Sequence, residues 1–103
     1  MAKKILVYWR DIPSQVIVQR GRTREKAMLS ARFQAAIDRA AMRAGKGSSD
    51  AYIAEWRREA TALDADVDLA DAAATAARSF EAAYPDERLE ALVKNKGVAS
   101  GEH

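Results

Sequence analysis

Two short runs of β-branched and aromatic residues stand near the beginning of the chain. In residues 4–9 (KILVYW) every position after the lysine is apolar, so a strand formed here has apolar side chains on both faces, as central strands do. Residues 10–14 contain Asp-Ile-Pro-Ser, which favours a turn. Residues 15–20 (QVIVQR) have the pattern of a second strand, and the flanking Gln and Arg indicate an edge. The pattern therefore predicts an antiparallel β-hairpin.

The remainder of the chain mostly shows helical spacing. Ser30 is the predicted cap of a helix that ends at Gly45, and an alanine-rich helix is predicted over 69–84, with a shorter one over 86–95. Residues 51–63 fit two interpretations: a continuous helix, or one helical turn followed by a short strand.

These elements predict the α+β class. We expect a small antiparallel sheet, made of the N-terminal hairpin and, on the second interpretation of 51–63, a third strand near Trp56, packed with three to four helices. We expect residues 1–97 to form a single domain and residues 98–103 to be a disordered tail.

The composition excludes several kinds of site and mechanism. The chain of 103 residues has no cysteine, and its one histidine is the last residue, which excludes a disulfide framework, a zinc or iron–sulfur site and any mechanism with a Cys or an internal His. Neither the Gly-Lys-Gly-Ser-Ser stretch at 45–49 nor the aspartates of 64–68 matches a phosphate loop or a calcium loop. We predict no enzyme activity, no cofactor and no metal. The apolar runs predict neither a membrane span nor a signal peptide, so we expect a cytoplasmic protein.

The charge is divided unevenly between the two halves. Residues 1–46 contain eleven Lys and Arg and three Asp and Glu, a balance of +8, whereas residues 47–103 carry a balance of −6. This asymmetry is compatible with a basic face for an anionic partner and equally with two halves that neutralise each other on folding.

Two aromatic–arginine clusters are the most distinctive side chains. Trp9 is the last residue of the first predicted strand, and Arg10 and Asp11 follow it; the three form either a binding edge or a core tryptophan beside a local ion pair. Trp56 and Arg57 repeat the combination, and the two Trp–Arg pairs can lie side by side if both are on strands.

A run of cations follows the second predicted strand. Arg20, Arg22, Arg24 and Lys26 alternate with other residues, so in one extended segment all four lie on one face. Such a ribbon can contact phosphates or an acidic protein surface, or it can be a solvated edge whose charges deter aggregation. It lacks the interleaved aromatic residues that stacking on single-stranded bases requires.

Three segments carry a resemblance to a known family. YWRDIPSQVIV (8–18), RFQAAIDRAAMRAG (32–45) and YIAEWRR (52–58) together resemble the bacterial virulence factor domain family, whose domain is also the C-terminal part of virulence-factor C proteins. The resemblance covers residues 3–93. It implies no catalytic residue, substrate or cofactor. Because stand-alone members accompany genes of methyltetrahydrofolate and corrinoid methyl transfer, it implies an accessory role in one-carbon metabolism.

We therefore expect a non-enzymatic interaction domain that binds an acidic protein partner through the turn of the predicted hairpin and through the basic ribbon of residues 20–26. The alternative is nucleic-acid binding by residues 20–26, and the oligomeric state is left open. An enzyme that uses Tyr8, Arg10 and Asp11 would require a ligand-sized pocket beside them. The residues expected to contact the partner are Trp9, Arg10, Asp11, Gln15, Arg20, Arg22, Arg24, Trp56 and Arg57.

Overall fold

A four-stranded antiparallel sheet forms the centre of the molecule. The structure, a computed structural model, describes residues 2–99. The strands are β1 (Ala2–Trp9), β2 (Ile12–Arg20), β3 (Thr23–Met28) and β4 (Trp56–Leu63), in the order β3-β2-β1-β4. The helices are α1 (Ala31–Arg43), α2 (Ser49–Ala54), α3 (Leu69–Ala83) and α4 (Asp86–Lys94). The α+β class is confirmed.

The predicted hairpin is present, with a tighter turn than expected. β1 and β2 are joined by Arg10 and Asp11, and Arg10 adopts a left-handed φ of 53°. Because Val7 pairs with Gln15 while Tyr8 pairs with Pro13, the intervening residue of β2 forms a bulge that lets proline stand inside the strand. β2 lies between β1 and β3, so the prediction of an edge strand at 15–20 is wrong.

The edge next to β2 is a strand that the sequence pattern did not predict. The chain reverses at Gly21 and Arg22, where Gly21 has a φ of 59°, and β3 then pairs with β2 along its whole length. The sequence of β3, TREKAM, is polar, and five of its six side chains are exposed. Its backbone pairing with β2, rather than burial of its own side chains, therefore holds it in the sheet.

Residues 51–63 follow the second interpretation. α2 ends at Ala54, and β4 begins at Trp56 and pairs with β1, so that Trp56 lies opposite Trp9. The prediction of a strand near Trp56 is confirmed.

The helices pack on one face and at one end of the sheet. α3 lies over β2 and β3, where Leu69 and Ala73 pack against Val16 and Val18. α1 and α4 pack against each other at the hairpin end, around a core that includes Trp9 and other buried residues. No helix among the described residues is long and apolar enough to cross a membrane.

The C-terminal end of the described chain contacts the hairpin. The Asn95 side chain donates a hydrogen bond to the Val98 carbonyl (2.7 Å), and the Ala99 amide donates one to the Asp11 carboxylate (2.6 Å). The predicted tail therefore has two hydrogen-bonded residues at its start, and its remaining residues, 100–103, lie outside the described residues.

Candidate functional site

Trp9 supports the hairpin from the inside. Its side chain is completely buried, stacks on Tyr52 with ring centroids 5.9 Å apart, and donates a hydrogen bond from Nε1 to the Tyr52 carbonyl (2.9 Å). The two expected tryptophans are indeed neighbours, because Trp9 and Trp56 are cross-strand partners. Trp9 is therefore a core residue, and the prediction that it contacts a partner is corrected, because it has no exposed surface.

Arg10 and Asp11 tie the hairpin turn to other elements rather than to each other. Arg10 pairs with Glu55 (Nε to Oε1, 3.3 Å) and donates a hydrogen bond to the Lys96 carbonyl (2.9 Å). Asp11 pairs with Arg57 (3.1 Å). Hydrogen bonding from Arg10 lowers the pKa of Glu55 further than burial raises it. The local Arg10–Asp11 ion pair is therefore absent, and both side chains have structural partners.

Arg57 lies on the helical face of the sheet, beside Tyr8. Its guanidinium stacks over the Tyr8 ring at 4.3 Å from the centroid and pairs with Asp11 and Glu59, while Nε donates to the Arg10 carbonyl (2.8 Å). These partners occupy donors on all three guanidinium nitrogens, so the Arg57 side chain already has hydrogen-bond partners within the protein.

The four cations of residues 20–26 do not form one ribbon. The turn at Gly21 and Arg22 places Arg20 at the end of β2, and the pairing of Gln19 with Arg24 places Arg24 on the other face of the sheet. Arg20 turns toward the loop before α3 and donates to the carbonyls of Ala65 (3.0 Å) and Val67 (2.7 Å). The expectation of a single basic face at residues 20–26 is wrong for this physical reason.

The sheet nevertheless has a basic face. We call the open face the surface formed by three rows of cross-strand partners on the side away from α3. Reading each row from β3 to β4 gives Arg24, Gln19, Lys3, Ala62; then Lys26, Ile17, Ile5, Ala60; then Met28, Gln15, Val7, Arg58. All four cations of these rows are exposed, and the two acids of the strands, Glu25 and Glu59, lie on the other face.

An apolar strip runs through the middle of the open face. Ile5, Val7 and Ile17 pack against one another and against Trp56, with no helix residue in their cluster. Two hollows flank the strip, one of about 420 Å³ beside Lys3 and one of about 440 Å³ beside Gln15. Because Ile5, Val7 and Ile17 are themselves buried, the open face presents exposed cations around a centre that is largely shielded from solvent.

The remaining charges of the basic half are used inside the fold. Four of its cations form ion pairs with acids of the C-terminal half, and the largest group surrounds Arg32, which contacts Glu81 (3.1 Å) and Asp86 (3.3 Å). Arg39 forms two parallel hydrogen bonds with Glu90 (3.0 Å each). Mutual neutralisation of the two halves therefore applies to these four cations, whereas the cations of the open face form no ion pair within residues 2–99. Within residues 2–99 no three acidic or histidine side chains gather as metal ligands would.

The sequence model of a family described as "Virulence factor" matches residues 7–93. The chain belongs to this family. Neither the curated proteins nor the solved structures gave a match.

The family match includes most of the open face, from Val7 in β1 to Arg58 in β4, and stops short of Lys3. The sequence pattern missed Lys3 and Arg58 as candidates, and it treated Lys26 only as part of a ribbon. The glycine at position 21 is a signal for Lys26, because a two-residue turn there makes β3 pair with β2 and sets which of its cations face which side. Lys3 and Arg58 lie on β1 and β4, and their place on the open face follows from the pairing of those two strands.

Proposed function

We propose that this virulence factor domain is a non-enzymatic docking module whose open face binds an acidic protein surface. The observation that carries the proposal is the sorting of charge across the sheet. Lys3, Arg24, Lys26 and Arg58 share the open face, which has no carboxylate on its strands. A partner whose acidic groups are spaced to meet these four exposed cations complements this face.

The size of the open face indicates a weak or transient complex. Four strands about 4.8 Å apart and three rows about 6.8 Å apart span roughly 400 Å². A standard interface buries about 800 Å² on each partner, so the open face supplies about half of that area. Reversible binding of this kind suits an accessory protein. The family resemblance directs the search for a cytoplasmic partner to the proteins of one-carbon metabolism.

The decisive experiment compares two charge-reversal variants of the whole chain. One carries Lys3→Glu, Arg24→Glu and Lys26→Glu on the open face. The control carries the same number of reversals at exposed cations elsewhere, Arg43→Glu, Arg78→Glu and Lys94→Glu. Both are used to capture proteins from the native host, and each captured protein is identified by mass spectrometry, purified and titrated against the wild type and both variants.

We expect the open-face variant to lose a captured acidic protein, with affinity lower by at least about tenfold, while the control variant retains it. The purified partner should also protect amides of β2 and β3 from hydrogen exchange. Equal affinity of the two variants for every captured protein would contradict the proposal, because it would show that net charge alone or another surface binds.

Nucleic-acid binding by the same face is the second candidate. The four cations of the open face could contact phosphates, but its three rows contain no aromatic side chain on which a base could stack. Binding would therefore be sequence-independent, with a logarithmic salt slope of roughly −3 for four contacts to a single strand. Absence of binding to single-stranded or duplex DNA and RNA at about 50 mM salt rules out this candidate.

A further inference from the structure

The helical face of the sheet is only half covered. Four strands span about 19 Å, whereas one helix covers about 10 Å. α3 takes the half formed by β2 and β3, which leaves a cleft between α3 and the half formed by β1 and β4. The cleft has a volume of about 650 Å³, within the range of small-molecule sites.

Most of this cleft is apolar. Leu6 and Leu63 line it from the sheet, and Val67, Ala76 and Phe80 line it from the opposite side. These side chains are partly exposed, since nothing among the described residues fills the space between them. The cleft can therefore bury an aliphatic or aromatic group of a ligand.

A polar cavity continues the cleft toward the hairpin. It has a volume of about 360 Å³ and shares Tyr84 and Arg88 with the apolar part, while Tyr8 and Asp11 line its other side. The two cavities therefore adjoin at Tyr84 and Arg88, and we call them the apolar end and the polar end of the cleft. An enzyme that uses Tyr8, Arg10 and Asp11 would require a ligand-sized pocket beside all three; this cavity is lined by Tyr8 and Asp11 but not by Arg10.

Arg88 is a cation of the polar end that forms no ion pair within residues 2–99. Arg88 stacks over Tyr84 at 4.0 Å from the ring centroid and donates one hydrogen bond to the Ala83 carbonyl (2.8 Å), and no carboxylate of residues 2–99 lies within ion-pair distance of it. The Asp11 carboxylate, by contrast, accepts hydrogen bonds from the Ala99 amide and from Arg57, whose guanidinium it shares with Glu59. Arg88 thus has donors to spare for an anion.

Two phenol groups stand beside Arg88. Neither the Tyr8 nor the Tyr84 hydroxyl forms a hydrogen bond within the described part of the chain. Burial, with the charge of Glu59, raises the pKa of Tyr8, so its hydroxyl keeps its proton at neutral pH and remains a donor. The polar end therefore offers two hydroxyl donors beside the guanidinium of Arg88.

We propose that this cleft binds a small amphipathic carboxylic acid, with its apolar part between Leu6 and Phe80 and its carboxylate against Arg88 and the hydroxyls of Tyr8 and Tyr84. The site lies on the face of the sheet opposite the open face, so it does not depend on the proposed docking function.

Calorimetric titration with three ligands of equal chain length tests the head group. Octanoate carries the carboxylate, 1-octanol is neutral and octyltrimethylammonium is a cation. We expect octanoate to bind most tightly and the cation most weakly. Failure of octanoate to bind at millimolar concentration, or equal binding of the cation, would overturn the proposal, the second because it would show that only the apolar end contributes.

Variants then test where in the cleft the ligand binds. Arg88→Gln should weaken octanoate by about tenfold and leave octanol unchanged, and Ala76→Phe should weaken both ligands by filling the apolar end. The matched control is Arg78→Gln, an exposed arginine of α3 outside the cleft, which should alter neither affinity. Circular dichroism verifies that each variant is folded. An unchanged octanoate affinity in Arg88→Gln would contradict the assignment, as would equal losses in the two arginine variants.

Discussion

Gly97 joins the end of α4 to the hairpin in a way that only glycine permits. Its φ is +88°, its amide donates to the Leu92 carbonyl (2.7 Å), and its carbonyl accepts from the Asp11 amide (2.8 Å). A Cβ atom at this position would lie 2.9 Å from the buried Trp9 ring. Gly97→Ala therefore combines a backbone penalty of about 1–2 kcal/mol with an overpacking penalty of about 1–3 kcal/mol.

Gly45 provides a matched control for the backbone penalty. It also has a positive φ, +73°, but a Cβ added there meets nothing within 4 Å. Gly45→Ala should therefore cost only the backbone contribution of about 1–2 kcal/mol. The difference between the two variants isolates the contact with Trp9.

Equilibrium urea unfolding, followed by tryptophan fluorescence, measures both free energies of unfolding. We expect Gly97→Ala to lose about 2–5 kcal/mol, and to exceed the loss in Gly45→Ala by about 1–3 kcal/mol. In thermal unfolding each kcal/mol corresponds to roughly 4–8 °C for a chain of this size. Equal losses in the two variants would refute the reasoning, because they would show that the chain around Trp9 yields without cost.

Three further predictions concern charge. Arg32→Ala, which releases the Tyr84 carbonyl and other acceptors, should lower the free energy of unfolding by about 1–3 kcal/mol, and by more than Arg39→Ala, whose pair is exposed. Burial would raise the pKa of Glu81, but hydrogen bonds from the Ser30 amide and hydroxyl and from Arg32 hold that pKa below its usual value. The stability that the Glu81 carboxylate contributes is therefore present above its unfolded-state pKa and is lost as pH falls through its lower folded-state pKa. In Glu81→Gln the free energy of unfolding should therefore fall less steeply with pH below about pH 4.5. Lys26→Gln should raise the free energy of unfolding slightly at low salt, because it relieves repulsion between residue 26 and Arg24 on the same face of β3. The gain should vanish at 1 M salt, and urea titrations at the two salt concentrations measure both values.

The elements that the sequence predicted are those with local signals. The predicted alanine-rich helix, 69–84, begins at the same residue as α3, because the Asp68 carboxylate accepts a hydrogen bond from the Asp71 amide there, and it differs from α3 by one residue at its end. The helix capped by Ser30 likewise begins where expected, at Ala31. Its cap differs in chemistry, since the Ser30 hydroxyl donates to Glu81 on α3 instead of bonding its own helix. That contact joins residues 51 positions apart, which local spacing does not reveal.

β3 shows where local signals end. Its polar sequence has little tendency to form a strand, and its conformation depends on the backbone groups that β2 presents. If β3 is not recognised, β2 is predicted to be an edge strand. The cations after Gly21 are then predicted to extend β2 in the same direction instead of turning back to pair with it. One missed turn therefore accounts for both errors, because reversing the chain changes which residues share a face.

The candidate site depends on this register more than on any motif. Arg20 and Arg24 look equivalent in sequence, yet Arg20 binds carbonyls of the loop before α3 while Arg24 is free on the open face. Moving the pairing by one residue would carry the cations of a strand to the other face and place Glu25 on the open face. The charge sorting thus exists only after pairing, which explains why composition alone showed an asymmetry without a location.

The two uses of the basic half lead to opposite expectations for its cations. Where a cation serves folding it has an acid or a carbonyl opposite it, as Arg32 has, and its removal costs stability. The cations of the open face have only each other along the strands, so their mutual repulsion works against the folded state. Salt ions screen this repulsion in solution, and the carboxylates of a bound partner would relieve it. Cations without an acid opposite them therefore support the proposal that the open face, rather than the ion-paired surfaces of α1 and α4, is where an acidic partner binds.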